Sequence, residues 1–136
     1  MKNSVYDCVI LPLNKIHNSA GNITIVEGQK NVPFDVRRIY YLYDIPGGAA
    51  RGGHAHKELY QLIIAASGSF DVLLDDGQNK KIVTLNRSDY GLMIVPGIWR
   101  ELMEFSSGAI CLVLASQTYD NNDYIREYSV FLELKK

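Results

Sequence analysis

The chain has 136 residues, of which 47% are hydrophobic and 21% charged, with a formal net charge of −1. These values predict one globular domain, over residues 1–136, that is large enough to bury its own core. The small net charge excludes a general nucleic-acid surface, and the apolar run from Val9 is too interrupted for a signal peptide or a membrane span. Cys8 and Cys111 have no metal-type spacing and suit a reducing compartment, so we expect a cytoplasmic protein.

The order of apolar runs and turns predicts an all-β chain. Tyrosine and β-branched residues are frequent, and short apolar stretches alternate with glycine, proline and aspartate turns. The predicted strands are Val5–Leu13, Gly21–Glu27, Arg37–Tyr43, a strand carrying the histidines, Tyr60–Ala66, Phe70–Leu74, Lys81–Leu85, Tyr90–Val95, Trp99–Phe105 and Ala109–Ala115. Residues 121–128 predict a capped helical turn or short helix near the end. Short strands at this spacing are typical of a sandwich or barrel.

The most informative stretch runs from Gly48 to Gly68 and contains two of the chain's three histidines. His54 and His56 lie two residues apart, so an extended strand would point both imidazoles to the same face. Such a pair either binds a metal or moves protons. The spacing of these histidines from the two glycines and from Gln61 resembles the first signature of the cupin superfamily. That resemblance implies a jelly-roll β-barrel with a central pocket.

The same resemblance argues against a metal centre. Metal-binding cupins have a glutamate where this chain has Gln61, and a further histidine beyond a later proline, where this chain has Arg100 and Glu101. A neutral amide is a poor replacement for a carboxylate on a divalent ion. We therefore expect acid/base chemistry without a metal or another cofactor. The alternative is a metal site with ligands that the spacing does not reveal, drawn from Glu58, Glu101 and His17.

Five short motifs narrow the resemblance to one group of small cupins. In chain order they are Arg51–Lys57, Asp75–Gly77, Pro96–Glu101, Phe105–Ser107 and Tyr119–Tyr128. Together they resemble the WxcM-like/FdtA group, from about residue 21 to the end. This group includes dTDP-4-keto-6-deoxyglucose 3,4-ketoisomerases, which make precursors of dTDP-linked 3-amino sugars. The chain departs from the group at residues 17–21, a predicted loop in which relatives commonly carry an arginine.

The resemblance implies a reaction that moves a ketone from C4 to C3 of the sugar. A base must take a proton from C3 and return one to C4, while hydrogen-bond donors hold the charge of the enediolate. The resemblance places the principal catalytic histidine at His54 and a catalytic-site tyrosine at Tyr40. His56, on the same face, would position the sugar or share the proton transfer. Tyr41 and Tyr43 compete with Tyr40, because most tyrosines in a β-protein only pack their rings.

Three arginines and one glutamine are the candidate substrate-binding residues. Arg51 suits a bidentate grip on a diphosphate, and period-two alternation places Arg38 on the strand face of the candidate tyrosine. Arg100 takes the place of the last cupin histidine and is expected to point at the sugar or the phosphate. Gln61 is expected to orient an imidazole or to contact a sugar hydroxyl. For Arg38 the alternative is a solvent-exposed strand face.

These residues predict a sugar-nucleotide 3,4-ketoisomerase that acts on a dTDP-linked 4-keto-6-deoxy sugar. Two alternatives stay open: a non-catalytic sugar-binding or regulatory cupin, and an epimerase of the same 4-keto sugar nucleotide. Edge strands of a small barrel expose unpaired backbone groups that a second subunit can cover, so we expect a homodimer, with N-terminal strands exchanged as in relatives. We expect neither a nucleic-acid nor a membrane partner.

Overall fold

The computed structural model describes all residues from Met1 to Lys136, and most of its regular structure is β-strand. The strands are β1 (Val9–Pro12), β2 (Asn14–Asn18), β3 (Gly21–Ile25), β4 (Arg38–Leu42), β5 (Arg51–His56), β6 (Gln61–Ser67), β7 (Phe70–Asp75), β8 (Lys80–Leu85), β9 (Tyr90–Ile94), β10 (Trp99–Met103), β11 (Ile110–Ala115) and β12 (Tyr124–Ile125). One α-helix, α1, spans Tyr128–Leu134, and no helix has the length and apolar character needed to cross a membrane. The predicted all-β fold is therefore confirmed.

Two five-stranded antiparallel sheets form the body of the molecule. The first has the order β1-β9-β6-β11-β4 and the second the order β12-β5-β10-β7-β8. Their inner faces share one core of 17 buried residues, to which the first sheet contributes Ile63 and Val113 and the second Val72 and Leu74. No strand is hydrogen-bonded into both sheets, so the jelly-roll barrel is a pair of open sheets.

Burial along the strands explains why their sequences differ. In β7, Phe70, Val72 and Leu74 point into the core in strict alternation, as expected for a strand with one solvent-facing side. In β6, the run from Leu62 to Ala65 is buried without alternation. A second cluster that includes Val32 and Phe34 packs with β6 and covers its other face. The continuous apolar run of β6 therefore follows from its central place in the first sheet.

The N-terminal segment differs from the prediction in two places. The predicted strand from Val5 to Leu13 begins only at Val9, because Val5–Asp7 forms a 3-10 helix closed by a capping box between Ser4 and Asp7. In the predicted loop at residues 17–21, only Ser19 and Ala20 form a turn, since β2 pairs with β3 in a hairpin that places His17 opposite Asn22. His17 is exposed on this hairpin.

The predicted helical turn at residues 121–128 is also corrected by the structure. Of residues 121–127, only Asn121–Asp123 is helical, as a 3-10 turn capped by the side chain of Asp120. Tyr124 and Ile125 then extend as strand β12 and pair with β5, opposite His56 and Ala55. The edge of β5 offers unpaired backbone groups, and this pairing satisfies them, so the chain stays extended until α1 begins at Tyr128.

Candidate functional site

Most of the candidate residues surround one cavity between the two sheets. The cavity has a volume of about 420 Å³. Its wall is formed by Tyr40, Leu42, Arg51, Gly52, Gly53, His54, Gln61, Ile63, Arg100, Leu102, Val113, Tyr124 and Arg126. Of the seven candidate residues, five lie in this wall, and His56 and Arg38 do not.

Strand β5 brings the two histidines together. Gly53 passes close to Trp99, where a Cβ atom would lie 2.5 Å from the indole Nε1, so only glycine fits this approach. His54 is paired with Arg100 across the β5–β10 ladder. The imidazoles of His54 and His56 lie on one face of β5, with ring centroids 4.9 Å apart and planes at 88°. His54 reaches the cavity, whereas His56 is fully buried beside it.

A buried carboxylate holds His56 in place. His56 Nδ1 lies 2.9 Å from Asp123 Oδ2, and the other carboxylate oxygen accepts a hydrogen bond from the Glu58 amide at 2.8 Å. Burial, followed by the charges of nearby arginines, lowers the pKa of His56 to about 2. The imidazole is therefore neutral and donates its Nδ1 hydrogen to the carboxylate. Its Nε2 is a bare acceptor with no partner in the protein.

The other imidazole, that of His54, is also neutral in the free protein. Burial is the largest cause that lowers the pKa of His54 to about 2, followed by the charges of Arg100, His56 and Arg126. Its Nε2 is buried and has no hydrogen-bond partner in the protein. His54 is thus a free base in the wall of the cavity.

Arg100, Gln61 and Tyr40 form a line of hydrogen bonds across the cavity. Arg100 Nη1 donates to Gln61 Oε1 at 2.5 Å, and Gln61 Nε2 donates to the Tyr40 hydroxyl at 3.0 Å. Arg100 Nε and Nη2 both donate to the Ile98 carbonyl oxygen, and no carboxylate forms an ion pair with this buried guanidinium. Burial lowers the pKa of Arg100 to about 10 and raises the pKa of Tyr40, so both stay protonated at neutral pH. Gln61 contacts a tyrosine, not an imidazole.

Arg38 lies among tyrosines next to the cavity. Its guanidinium carbon is 5.3 Å from the Tyr40 ring centroid and 5.5 Å from that of Tyr119. Its Nη2 is 3.5 Å from the Tyr124 hydroxyl. The structure therefore places Arg38 behind the aromatic wall, where it packs on rings and does not line the cavity.

Three residues of the C-terminal segment complete the site and were not predicted from the sequence. The Tyr124 ring lies 4.4 Å from His56 and 5.3 Å from His54, measured between ring centroids. The guanidinium of Arg126 lies 4.3 Å above the Tyr124 ring and lines the cavity beside it. The third is Asp123, the partner of His56. All three occur in the motif Tyr119–Tyr128, which was the only signal in the sequence for them.

No group of three or more His, Cys, Asp or Glu side chains is arranged to hold a metal ion. Among the alternative ligands, Glu101 accepts a hydrogen bond from Trp99 Nε1 at 3.2 Å. His17 lies on the β2–β3 hairpin with Nδ1 against the Asn22 side chain. Neither joins the two imidazoles of β5 in a cluster of three.

Comparison with known families decides which group the chain belongs to. The model of the family FdtA, described as WxcM-like, C-terminal, matches residues 6–136. The chain belongs to this WxcM-like family. Membership agrees with the resemblance carried by the five sequence motifs.

Relatives of this WxcM-like chain cover nearly its whole length. The TDP-4-oxo-6-deoxy-alpha-D-glucose-3,4-oxoisomerase of Aneurinibacillus thermoaerophilus is 42% identical over 122 residues, 90% of this chain and 88% of the relative. The TDP-quinovose 3,4-ketoisomerase WlaRB of Campylobacter jejuni is 46% identical, with a TM-score of 0.89 over 98% of this chain and 99% of that one. A variant of the 3,4-ketoisomerase QdtA from Thermoanaerobacterium thermosaccharolyticum, solved with TDP-4-keto-6-deoxyglucose, is 36% identical, with a TM-score of 0.93 over 96% of this chain and 94% of that one.

Proposed function

We propose that this chain is a sugar-nucleotide 3,4-ketoisomerase that converts dTDP-4-keto-6-deoxyglucose into a dTDP-3-keto-6-deoxyhexose. Its product then serves the synthesis of dTDP-linked 3-amino sugars. The observation that carries the proposal is His54, a neutral imidazole with an unpartnered Nε2 in the wall of a cavity of about 420 Å³. Full-length relatives with 3,4-ketoisomerase activity support the same reaction.

The proposed reaction begins with proton transfer to His54. As the imidazole takes the C3 proton, the electrons of the C3–H bond form a C3=C4 double bond and the C4 carbonyl becomes an enolate oxygen. The proton of the C3 hydroxyl then moves to the C4 oxygen, which becomes a hydroxyl. As the C3 carbonyl forms, the electrons of the C3=C4 double bond take at C4 the proton that His54 removed from C3. Atoms and charge balance without an oxidant, so a base that gives back its proton is sufficient.

Substrate binding strengthens this base. In the free protein the charges of Arg100 and Arg126 help to keep the pKa of His54 low. A nucleotide diphosphate brings negative charge into the same cavity, offsets these guanidinium groups and raises the pKa of His54 above its value in the free protein. His54 then accepts a proton only when the substrate is in place. His56, held by Asp123, is close enough to position the sugar or share the transfer.

Arg100 and Tyr40 stabilise the enediolate. The buried Arg100 guanidinium has no carboxylate partner, so its charge is available to an anion that forms in the cavity. Tyr40 stays protonated and can donate a hydrogen bond to the same oxygen. Preorganised donors of this kind supply the largest part of the stabilisation in many enzymes with oxyanion intermediates.

Arg51 and Arg126 bind the diphosphate in this proposal. Both line the cavity, and both are exposed on its solvent side. Guanidinium groups match phosphate oxygens in bidentate pairs. Placing the diphosphate here leaves the sugar to reach inward to His54.

We also propose a cytoplasmic homodimer. Ile39 and Tyr41 share one face of the edge strand β4, Tyr43 follows directly after the strand, and each of the three is about 60% exposed. Ile16 and Ile23 add exposed apolar surface on the β2–β3 hairpin. A second copy of the chain would cover these residues and the strand edge. Light scattering should give twice the mass of one chain.

Proton NMR in deuterated water tests the proposed activity. Purified protein is mixed with freshly generated dTDP-4-keto-6-deoxyglucose, and the ring signals are followed over time. New signals of a 3-keto species support the isomerase, and their C4 coupling gives the configuration of the product. Exchange of a ring proton with the ketone still at C4 would indicate an epimerase. Unchanged signals together with ligand protection against heat would indicate a binding protein without turnover.

A further inference from the structure

We propose that Gln61 fixes the direction of the Tyr40 hydroxyl hydrogen, so that this hydrogen points into the cavity as a donor. Gln61 is then a positioning residue that acts through Tyr40 and does not itself need to touch the reacting atoms. The catalytic consequence of this inference rests on the proposed isomerase function. The direction of the hydrogen rests on the structure of the free protein alone.

The argument starts from the guanidinium of Arg100, which is 2% exposed. A guanidinium has five N–H donors and no acceptor. The amide atom of Gln61 that lies 2.5 Å from Arg100 Nη1 must therefore be the oxygen, because rotating the amide would set two donors against each other. This leaves the amide nitrogen of Gln61 facing Tyr40.

The hydrogen bond between Gln61 and Tyr40 consequently has only one polarity. Gln61 Nε2 lies 3.0 Å from the Tyr40 oxygen, and an amide nitrogen donates but does not accept. The Tyr40 oxygen is the acceptor, so its own hydrogen must turn away from Gln61. Tyr40 makes no other hydrogen bond within the protein and lines the cavity, so a ligand there supplies the acceptor.

Burial prevents the hydrogen bond between Gln61 and Tyr40 from reversing its direction. Gln61 is 1% exposed, so water does not compete for its amide. An amide inverted in this place would set its NH₂ group against the guanidinium and leave a guanidinium hydrogen and an amide hydrogen without acceptors, and each buried unsatisfied group costs about 1–3 kcal/mol. Arg100 thus fixes the orientation of the Gln61 amide, and the amide in turn leaves the Tyr40 hydroxyl as a hydrogen-bond donor toward the cavity.

The proposal explains why an amide suits position 61 better than a carboxylate. A glutamate there would accept from Arg100 with one oxygen and from the Tyr40 hydroxyl with the other. That change keeps the shape of the side chain but reverses the second hydrogen bond. The phenolic hydrogen would then be held by the carboxylate and lost to the cavity.

Three variants test the inference through catalysis: Gln61→Glu, Tyr40→Phe and the two combined. Removing one oxyanion donor typically lowers kcat by roughly 10²- to 10³-fold, and we expect a loss of this size in each single variant with little change in KM. Because both changes remove the same hydrogen bond, the double variant should be no slower than Tyr40→Phe. A Gln61→Glu enzyme with wild-type kcat, or a double variant whose loss is the product of the two single losses, would overturn the proposal.

Gln61→Met separates positioning from structure. Methionine removes both hydrogen bonds and offers the phenol only a weak thioether acceptor, so this variant should keep more activity than Gln61→Glu. Melting temperatures of all variants show whether a lower kcat merely follows lower stability. A methionine variant as slow as the glutamate variant at equal stability would contradict the proposed role.

A measurement without substrate keeps the inference independent of the proposed activity. In NMR spectra of protein with labelled tyrosine, Gln61→Glu should show a slowly exchanging Tyr40 hydroxyl hydrogen bonded to the carboxylate. The wild type and the Tyr40→Phe/Gln61→Glu double variant should lack this signal. A wild type that fails to isomerise the sugar refutes the proposed function only, whereas a Gln61→Glu spectrum without the signal refutes the positioning role.

Discussion

Replacing Asp123 with asparagine tests whether the carboxylate beside His56 serves catalysis or only stability. Asp123 accepts from His56 Nδ1 at 2.9 Å and from the Glu58 amide at 2.8 Å. Asparagine has one acceptor oxygen, so it cannot keep both hydrogen bonds. If its amide nitrogen faces His56, the imidazole must accept at Nδ1 and carry its hydrogen on Nε2.

The expected losses follow from the two hydrogen bonds. A hydrogen bond to a charged group contributes about 1.5–3 kcal/mol, so the free energy of unfolding should fall by about 2 kcal/mol. The tautomer of His56 changes as well, which removes the bare Nε2 acceptor of this imidazole. Since general acid/base groups typically raise the reaction rate by roughly 10²- to 10⁴-fold, we expect kcat of Asp123→Asn to fall by at least about 10²-fold.

Asp120→Asn is the matched control, because Asp120 caps the same 3-10 turn from an exposed position and asparagine is an equally good cap. We expect this variant to keep wild-type kcat. The assay combines NMR progress curves with urea denaturation of each variant, and ¹⁵N NMR reports the tautomer of His56. If Asp123→Asn loses stability but keeps the kcat of Asp120→Asn, the carboxylate only anchors the segment and the reasoning is refuted.

Three further predictions concern pH, metal removal and substrate binding. Because burial lowers the pKa of His54 and His56 from 6.5 to about 2, the free energy of unfolding should be constant above pH 6.5. Below that pH it should fall by up to about 1.4 kcal/mol per pH unit for each histidine. When urea denaturation is repeated at a series of pH values, the free energy of unfolding of His54→Asn should fall less steeply with pH than that of the wild type. An equal pH dependence of the two proteins would contradict the assignment. Dialysis against a chelator should leave kcat unchanged, since Arg100 and Gln61 offer a cation no carboxylate; activity restored by one added metal would contradict this. Arg51→Ala should raise KM by roughly ten- to a hundredfold with a smaller effect on kcat, and the exposed Arg37→Ala should not; equal KM values would remove Arg51 from the diphosphate site.

The sequence predicted the strands that form the body of the molecule because their local patterns are strong. Phe70–Leu74 differs by one residue from β7, since it is a short, mostly apolar stretch flanked by turns. Strand β2 was not predicted, because Asn14–Asn18 contains one aliphatic residue, Ile16, among polar ones and all five positions are exposed. A hairpin that packs little apolar surface leaves no periodic signal.

In the candidate site, too, some residues could be placed from local sequence patterns and others could not. Two histidines on one strand face follow from local spacing, so His54 and His56 could be placed together from the sequence. Asp123 lies 67 positions beyond His56 and reaches it only because Tyr124 and Ile125 pair with the edge of β5. The line from Arg100 through Gln61 to Tyr40 likewise joins three strands, β10, β6 and β4. Contacts of this kind depend on tertiary structure, which local sequence patterns do not encode.

Hydrogen exchange at C3 of the sugar in His54→Asn is the most direct test of the central claim, that His54 moves the proton between C3 and C4. The variant is mixed with dTDP-4-keto-6-deoxyglucose in deuterated water, and calorimetry measures binding in parallel. We predict that substrate binds with near wild-type affinity, that the C3 signal persists and that no 3-keto species forms. Exchange at C3 at the wild-type rate in a variant that binds substrate would show that another group is the base.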